Sequence, residues 1–368
     1  MRLTNVANKM LHSWMRRHVG RQFLKKIRHI EREHPDQFAC VDKALSDRHC
    51  ELWGRFGDAV SDRWLRFHVN RTGVEDYTFC PEDVFYTRIE RVLNDCNNAG
   101  YGLEEKNELF RYVPAGAEPE VVLRYVRGSF FDAQNRWASR EQARQLLLAE
   151  RDGVIGKSCR SSGGSGVAVY SELTPESIEK TGCVSYVVQR KIRQCEFSAK
   201  FNSPSINTIR MMTLRCPWDG RVVVCKSMMR IGVSEAVVDN MSKGGLCVCI
   251  DRDGSFDRYA YDYYGQRYEQ HPVSKLRFQG LKHPGYDKMV EMASSVHSRI
   301  PSYNLLSFDL VQRDDGSICI VEINATCVGV VQLQYGFGGL FGEHTERLVD
   351  WCVAHSEFDT FKHVRTWY

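Results

Sequence analysis

A chain of 368 residues exceeds one typical domain of about 100 to 200 residues, so two or three subdomains around a sizeable core are expected. A formal charge of +4 is too mild to demand a polyanionic partner, and no nucleic acid is expected among its ligands. The fourteen cysteines form no C-x-x-C pair and no Cys/His zinc pattern, which favours reduced thiols in a cytoplasm over a disulfide scaffold or a zinc module.

Residues 1–80 read as a helical region. Its first segment, to about residue 35, carries nine cations against two acids, a net +7, with Leu11, Trp14, Met15, Val19, Phe23, Leu24, Ile27 and Ile30 as an apolar stripe at helical spacing. Such a stripe either packs on the protein's own core or lies, over residues 1–32, on an anionic membrane face. No apolar run approaches the roughly 20 residues needed to span a bilayer, so the expected location is cytoplasmic, with at most a peripheral contact at the inner membrane face. Helices ending near Gly73 follow, with Trp53 and Trp64 as core anchors. Residues 81–150 read as an N-terminal lobe with helix 82–98, helix 103–112, strand Val121–Val126 and helix Arg140–Arg151.

From Asp152 to Tyr170 the pattern is strand, small-residue loop, strand. Ser161, Ser162, Gly163, Gly164, Ser165 and Gly166 make a loop able to lie flat on phosphates, and Lys157 on the preceding strand supplies a compact positive charge. This is no P-loop, because the glycines follow the lysine, and no dinucleotide fingerprint, because G-x-G-x-x-G is absent. A helix between Pro284 and Pro301 leads into a hairpin signalled by Asp315-Gly316 between alternating apolar runs. A two-residue turn there sets Asp309 opposite Glu322, with Asn324 on the same face. Two facing carboxylates repel unless a cation lies between them, and with an amide oxygen they form a hard ligand set suited to Mg²⁺; two unrelated surface acids are the plainer reading. After Asn324, a glycine-rich stretch over 332–342 reads as a simple connection or the lining of an acceptor pocket, before a last helix from about Glu343 to His355 and a tail over 351–368.

In order and spacing these features resemble the ATP-grasp ligases, in particular the sugar-transfer-associated group, over roughly residues 80–345. Ser205-Ile-Asn207-Thr208-Ile-Arg210, Arg230-Ile-Gly232 and Asp239-Asn240-Met-Ser-Lys-Gly244-Gly245 are similar to that group's S-x-N-T-x-R, R-x-G and D-N-x-x-x-G-G strings. The resemblance implies an α+β ATP-grasp fold whose two lobes, within residues 151–350, clamp ATP. It implies Lys106, opening a helix, and Lys157 on the phosphates, residues 161–166 as the lid, and Gln189, Lys191 and Ile192 as the hinge that reads adenine. Gln189 departs from the acid common at that hinge position. Glu196 would hold ribose; Asp309, Glu322 and Asn324 would hold Mg²⁺; Arg210 and Arg230 would face the transferring phosphoryl group.

The implied reaction is ATP- and Mg²⁺-dependent joining of a carboxylate to an amine through an acyl phosphate. The substrates implied are a small-molecule or sugar-linked carboxylate and an amine, in surface polysaccharide or glycoconjugate assembly. An ATP-grasp kinase is the alternative, and a non-catalytic membrane-associated scaffold a second one.

Overall fold

The computed structural model describes residues 2–96, 102–159, 166–234, 239–326 and 328–363. Two antiparallel sheets and their flanking helices make an α+β architecture, preceded by a helical region. Helix α1 (Arg2–Glu33) is followed by α2 (Lys43–Gly54), which the Asp42 carboxylate caps by accepting from the Leu45 N–H at 3.1 Å. Helix α3 (Arg63–Thr72) ends at Gly73, where φ of +76° suits a residue without a Cβ. Trp53 and Trp64 are buried, as expected of anchors. Phe23, Ile27 and Ile30 of α1 pack on the same core, and Lys26 donates to both Glu82 carboxylate oxygens at 2.8 Å. Leu11 and Trp14, assigned to the same stripe, stay at the surface because they lie on the other side of the helix.

The helix expected over 82–98 is α4 (Glu82–Val84), a π turn (Phe85–Ile89) and α5 (Glu90–Leu93). It stops there because the Asn94 amide donates to the carbonyls of Leu305 and Ala325, each at 2.7 Å, and ties the chain to a strand. The helix expected over 103–112 is corrected to a turn containing Lys106, ahead of a short 3-10 helix (Leu109–Arg111). Side chains that a helix would send to water reach other backbone and side-chain groups instead. Glu104 accepts from the N–H groups of Ala325 and Thr326 at 2.8 and 2.9 Å, and Glu105 accepts from the Ser185 hydroxyl at 2.8 Å.

Strands β1 (Val121–Val126), β2 (Ser129–Asp132), β3 (Trp137–Ala138), β4 (Val154–Ser158), β5 (Val167–Tyr170) and β6 (Ser185–Arg190) form a six-stranded sheet in the order β3-β2-β1-β6-β4-β5. This sheet joins strands on both sides of residue 150. Helices α6 (Arg140–Leu148) and α7 (Pro175–Lys180) cover its outer face, setting Ala143, Leu147 and Ile178 against Val154, Tyr186 and Val188. Because strand side chains alternate, Ile155, Lys157 and Gln189 occupy the uncovered face. The segment enters and leaves at one place: Val121 lies opposite Gln189, and the Arg190 N–H donates to the Glu120 carbonyl at 2.9 Å.

After the short helix α8 (Glu196–Ala199) comes the larger sheet. Its strands are β7 (Ile209–Arg215), β8 (Val222–Ile231), β9 (Leu246–Ile250), β10 (Phe256–Tyr261), β11 (Arg267–Tyr268), β12 (Leu305–Gln312) and β13 (Ile318–Asn324), in the order β11-β10-β9-β8-β7-β12-β13. Helix α9 (Tyr286–Ser298) packs Met289, Ala293 and Val296 into the core that holds Met211, Met229 and Phe308. Residues of the other phase, among them Met212, Leu214 and Cys247, belong to the core of the N-terminal helices and of helix α10 (Thr345–Ala354). The glycine-rich stretch before α10 is a packed connection. Leu340 and Phe341 are buried, and the Gln334 side chain accepts from the Cys80 N–H at 2.7 Å. None of residues 332–342 lines the main cleft.

Candidate functional site

Asp309 does face Glu322, by a route other than the one expected. The turn is a three-residue loop, in which the Arg313 N–H donates to the Ser317 carbonyl at 2.9 Å and Gly316 takes φ of +81°. Gln312 therefore opposes Ile318, one step out of the two-residue register. A bulge then inserts Val321 as an extra residue and brings Glu322 back to Asp309. Both Val321 and Glu322 consequently line a cleft of about 800 Å³ between the two sheets.

One end of the larger sheet gathers charge on the cleft face. Asp309 pairs in register with Arg210, and Arg230 lies two residues beyond Met228, the neighbour of Arg210. The Asp309 carboxylate accepts from Arg210 Nε and Nη2, both at 2.9 Å, while Arg230 Nη2 lies 2.8 Å from Asp309 Oδ2. Burial alone would raise the Asp309 pKa, but the two guanidiniums outweigh it and hold the group at about 2. Thr208 accepts from Arg230 Nε and Nη2 at 3.0 and 2.7 Å, and its hydroxyl donates to Asp239. The plane of Arg210 is thereby set by a bidentate pair, and that of Arg230 from two sides, by Asp309 and Thr208.

The smaller sheet supplies the opposite wall. Lys157 is buried at its centre; desolvation lowers its pKa, the Glu322 carboxylate opposes that, and the Lys106 charge adds to it. Lys106 Nζ lies 3.6 Å from Glu322 Oε1, linking the two walls. Ile155, Val167 and Val169, in phase with Lys157, form an apolar slot closed by Gln189, and the chain leaves β6 along Lys191 and Ile192 at the cleft edge. The sequence reading missed these apolar residues and Val321, although spacing by twos from Lys157 was the available signal for the slot. Asn324 also lines the cleft, and its Nδ2 and the Gln189 Oε1 are buried without a hydrogen-bond partner.

Two expectations stand apart from this constellation. Glu196 does not line the cleft; it begins α8, is exposed, and pairs with Lys200 at 2.9 Å. Ser161, Ser162, Gly163, Gly164 and Ser165 lie outside the described residues. Gly166, with φ of +75°, ends that loop, and its carbonyl accepts from the Ser158 N–H at 3.0 Å without lining the cleft.

Apart from their cleft-lining residues, the three short strings are local scaffolding. Asn207 is buried, donates to the carbonyls of Ser198 and Asn202 at 2.9 and 2.8 Å, and accepts from the Gly232 N–H at 3.0 Å. Gly232 is small because a Cβ would run into Ser205 and Asn202, and Gly245 because one would run into the Asp239 carbonyl. The Asn240 side chain accepts from the Ser242 N–H at 2.9 Å and starts a 3-10 turn (Met241–Lys243) ended by Gly244. Asp239 and Asn240 are thus presented to the cleft by a capped turn.

The cleft thus sets basic side chains, two carboxylates and an apolar slot between two antiparallel sheets. The family model described as sugar-transfer associated ATP-grasp matches residues 177–347. Solved structures similar to the chain include biotin carboxylase from Campylobacter jejuni (11% identity, TM-score 0.40, 71% of this chain and 47% of that one). Others are the VanG D-Ala:D-Ser ligase from Enterococcus faecalis (11%, 0.40, 70% and 63%) and D-alanyl-alanine synthetase A from Vibrio cholerae (13%, 0.39, 71% and 65%). The chain spans less than two thirds of each of those proteins. No curated protein matches it significantly.

Proposed function

We propose that the protein is an ATP- and Mg²⁺-dependent ligase that joins a carboxylate, on a small acid or a sugar-linked precursor, to an amine. The observation that carries this reading is the composition of one cleft: Lys106, Lys157, Arg210 and Arg230 surround Asp309 and Glu322, beside an apolar slot. That donor set fits a magnesium nucleotide. Among the described residues no group of three His, Cys, Asp or Glu side chains is placed to hold a metal alone. Magnesium commonly takes one or two carboxylates and completes its shell with phosphate oxygens and water, so Asp309, Glu322 and Asn324 suffice as the protein's share.

Bound ATP supplies the phosphoryl group that activates a carboxylate, with Mg²⁺ neutralising its charge. Lys157 and Lys106 bind the phosphate chain. Ile155, Val167, Val169 and Val321 exclude water from the base, and the unpartnered Gln189 oxygen accepts from an amino group there. Arg210 and Arg230, held by Asp309 and Thr208, orient the acceptor carboxylate. Arg230 then stabilises the oxyanion that forms when the amine attacks. No side chain need act as a covalent nucleophile.

Hydroxylamine tests the reaction class, because it intercepts an acyl phosphate and not a phosphorylated alcohol. With candidate uronic acids or acidic amino acids, ATP and Mg²⁺, we expect ADP, phosphate and a hydroxamate from the wild-type protein and none from Glu322→Gln. ADP with a stable phosphorylated product, and no hydroxamate across substrates that turn over, assigns the chain to the kinases.

A further inference from the structure

The outward side of α1 changes character along its length. At 3.6 residues per turn, the line through Arg16, Val19, Phe23, Ile27 and Ile30 faces the protein, where Ile27 is fully buried and Arg16 pairs with Asp359. The opposite line begins with Met10, Leu11 and Trp14, which are 68%, 38% and 59% exposed. Trp14 stacks on His18 of its own helix, with ring centroids 5.2 Å apart, and stays largely open to solvent. The same line continues with Arg17, Arg21, Lys25, Arg28 and Arg32, all exposed. Among the described residues none of these five cations is ion-paired, whereas the inward-turned Lys26 and Arg16 each have a carboxylate.

We propose that this face of α1 is a peripheral docking surface for an anionic lipid bilayer. Met10, Leu11 and Trp14 enter the boundary between headgroups and acyl chains, and the cations behind them meet the lipid phosphates. Charge complementarity selects the anionic surface, and the exposed apolar trio separates a bilayer from a nucleic acid, since aliphatic side chains gain nothing from a phosphate polymer. An indole beside cations suits the membrane interface, where one edge is wet and the ring is not. From Met10 to Arg32 the line runs about 33 Å at 1.5 Å per residue, enough to cover several headgroups. The contact is peripheral, because no described helix is long and apolar enough to cross a membrane. This inference is independent of the ligase reading, since no residue of α1 lines the cleft.

Flotation of the full chain with phosphatidylcholine vesicles, with and without about a third phosphatidylglycerol, tests it. We expect binding to the anionic vesicles alone, and weakening by high salt within the range over which the Debye length shortens from roughly 8 to 3 Å. The quadruple variant Arg17→Gln, Arg21→Gln, Lys25→Gln, Arg28→Gln should lose about tenfold or more in binding. Trp14→Ala should also weaken binding, in a protein whose circular dichroism and melting temperature match the wild type, because all five side chains are exposed. Equal binding to neutral vesicles, undiminished binding by either variant, or retention by single-stranded RNA with vesicles left unbound would overturn the proposal.

Discussion

At the residue scale, Asp309 and Glu322 face each other yet live in different surroundings. Asp309 is buried between two guanidiniums, so Asp309→Asn strips Arg210 of its paired carboxylate and leaves Arg230 only Asp239 at 3.7 Å, and should cost about 3 to 5 kcal/mol in urea unfolding. Glu322 is partly open to solvent and pairs with Lys106 at 3.6 Å, so Glu322→Gln should cost less than about 1 kcal/mol while removing turnover. A folded-state pKa of about 2 for Asp309, against 3.8 ordinarily, means stability that is present above the ordinary range and lost as pH falls toward 2. The gap between wild type and Asp309→Asn should narrow across that window by about 2 kcal/mol. Lys157 has the same slope with pH but a different origin, since burial disfavours its charged form in the fold. Its lowered pKa means the folded state binds fewer protons than the unfolded chain just below the ordinary lysine range, and stability rises with pH there. Phosphate restores the charge, so ATP binding should take up protons in that window and weaken as pH rises through it, while adenosine binding should do neither. Calorimetry in two buffers of different ionisation enthalpy measures the uptake, and Lys157→Ala should abolish it; uptake unchanged in that variant would remove Lys157 from the phosphates.

At the scale of elements, the loop between α8 and β7 is held by Asn207 and by Gln194, whose Nε2 donates to the Asn202 and Ser205 carbonyls at 2.9 and 2.7 Å. Asn207→Ala strips the Ser198 and Asn202 carbonyls and the Gly232 N–H of a partner, and should cost about 2 kcal/mol and raise the KM for ATP. Thermal unfolding and kinetics check this, and an unchanged KM would show that the loop does not govern the cleft. The hairpin of β12 and β13 was legible because Asp-Gly and period-two alternation are local signals. Its bulge was not, because the extra Val321 is fixed by pairing with β12 and leaves no mark in composition. The hairpin of β1 and β2 was missed for a related reason. Its turn places Arg127 and Gly128 at φ of +48° and +87°, and arginine does not advertise a left-handed position. Lys106 was found by its order in the chain, but its helix was not real, since the acids around it bind distant groups that no window of sequence reveals. Glu196 was assigned to ribose by the resemblance alone, and its pairing with Lys200 is a contact at i and i+4 that the sequence already contained.

At the scale of the molecule, the cleft is made by two sheets that share no strand. Nucleotide should therefore slow amide exchange in β4 and β6 of one sheet and in β13 of the other together, and leave α2 and α3 unchanged. Protection confined to a single sheet would contradict a ligand held between both. The smaller sheet is also one uninterrupted stretch of chain whose two ends touch, with Val121 opposite Gln189 and Glu120 bonded to Arg190. In the terms of recombination this makes residues 120–190 a cassette: a crossover at each end exchanges Lys157, Gln189 and the apolar slot as one piece. Arg210, Arg230, Asp309 and Glu322 stay with the recipient. On the proposed function, the base slot and the Lys157 charge are thus heritable apart from the arginines and carboxylates, and chimeras between relatives can trade the first without rewriting the second.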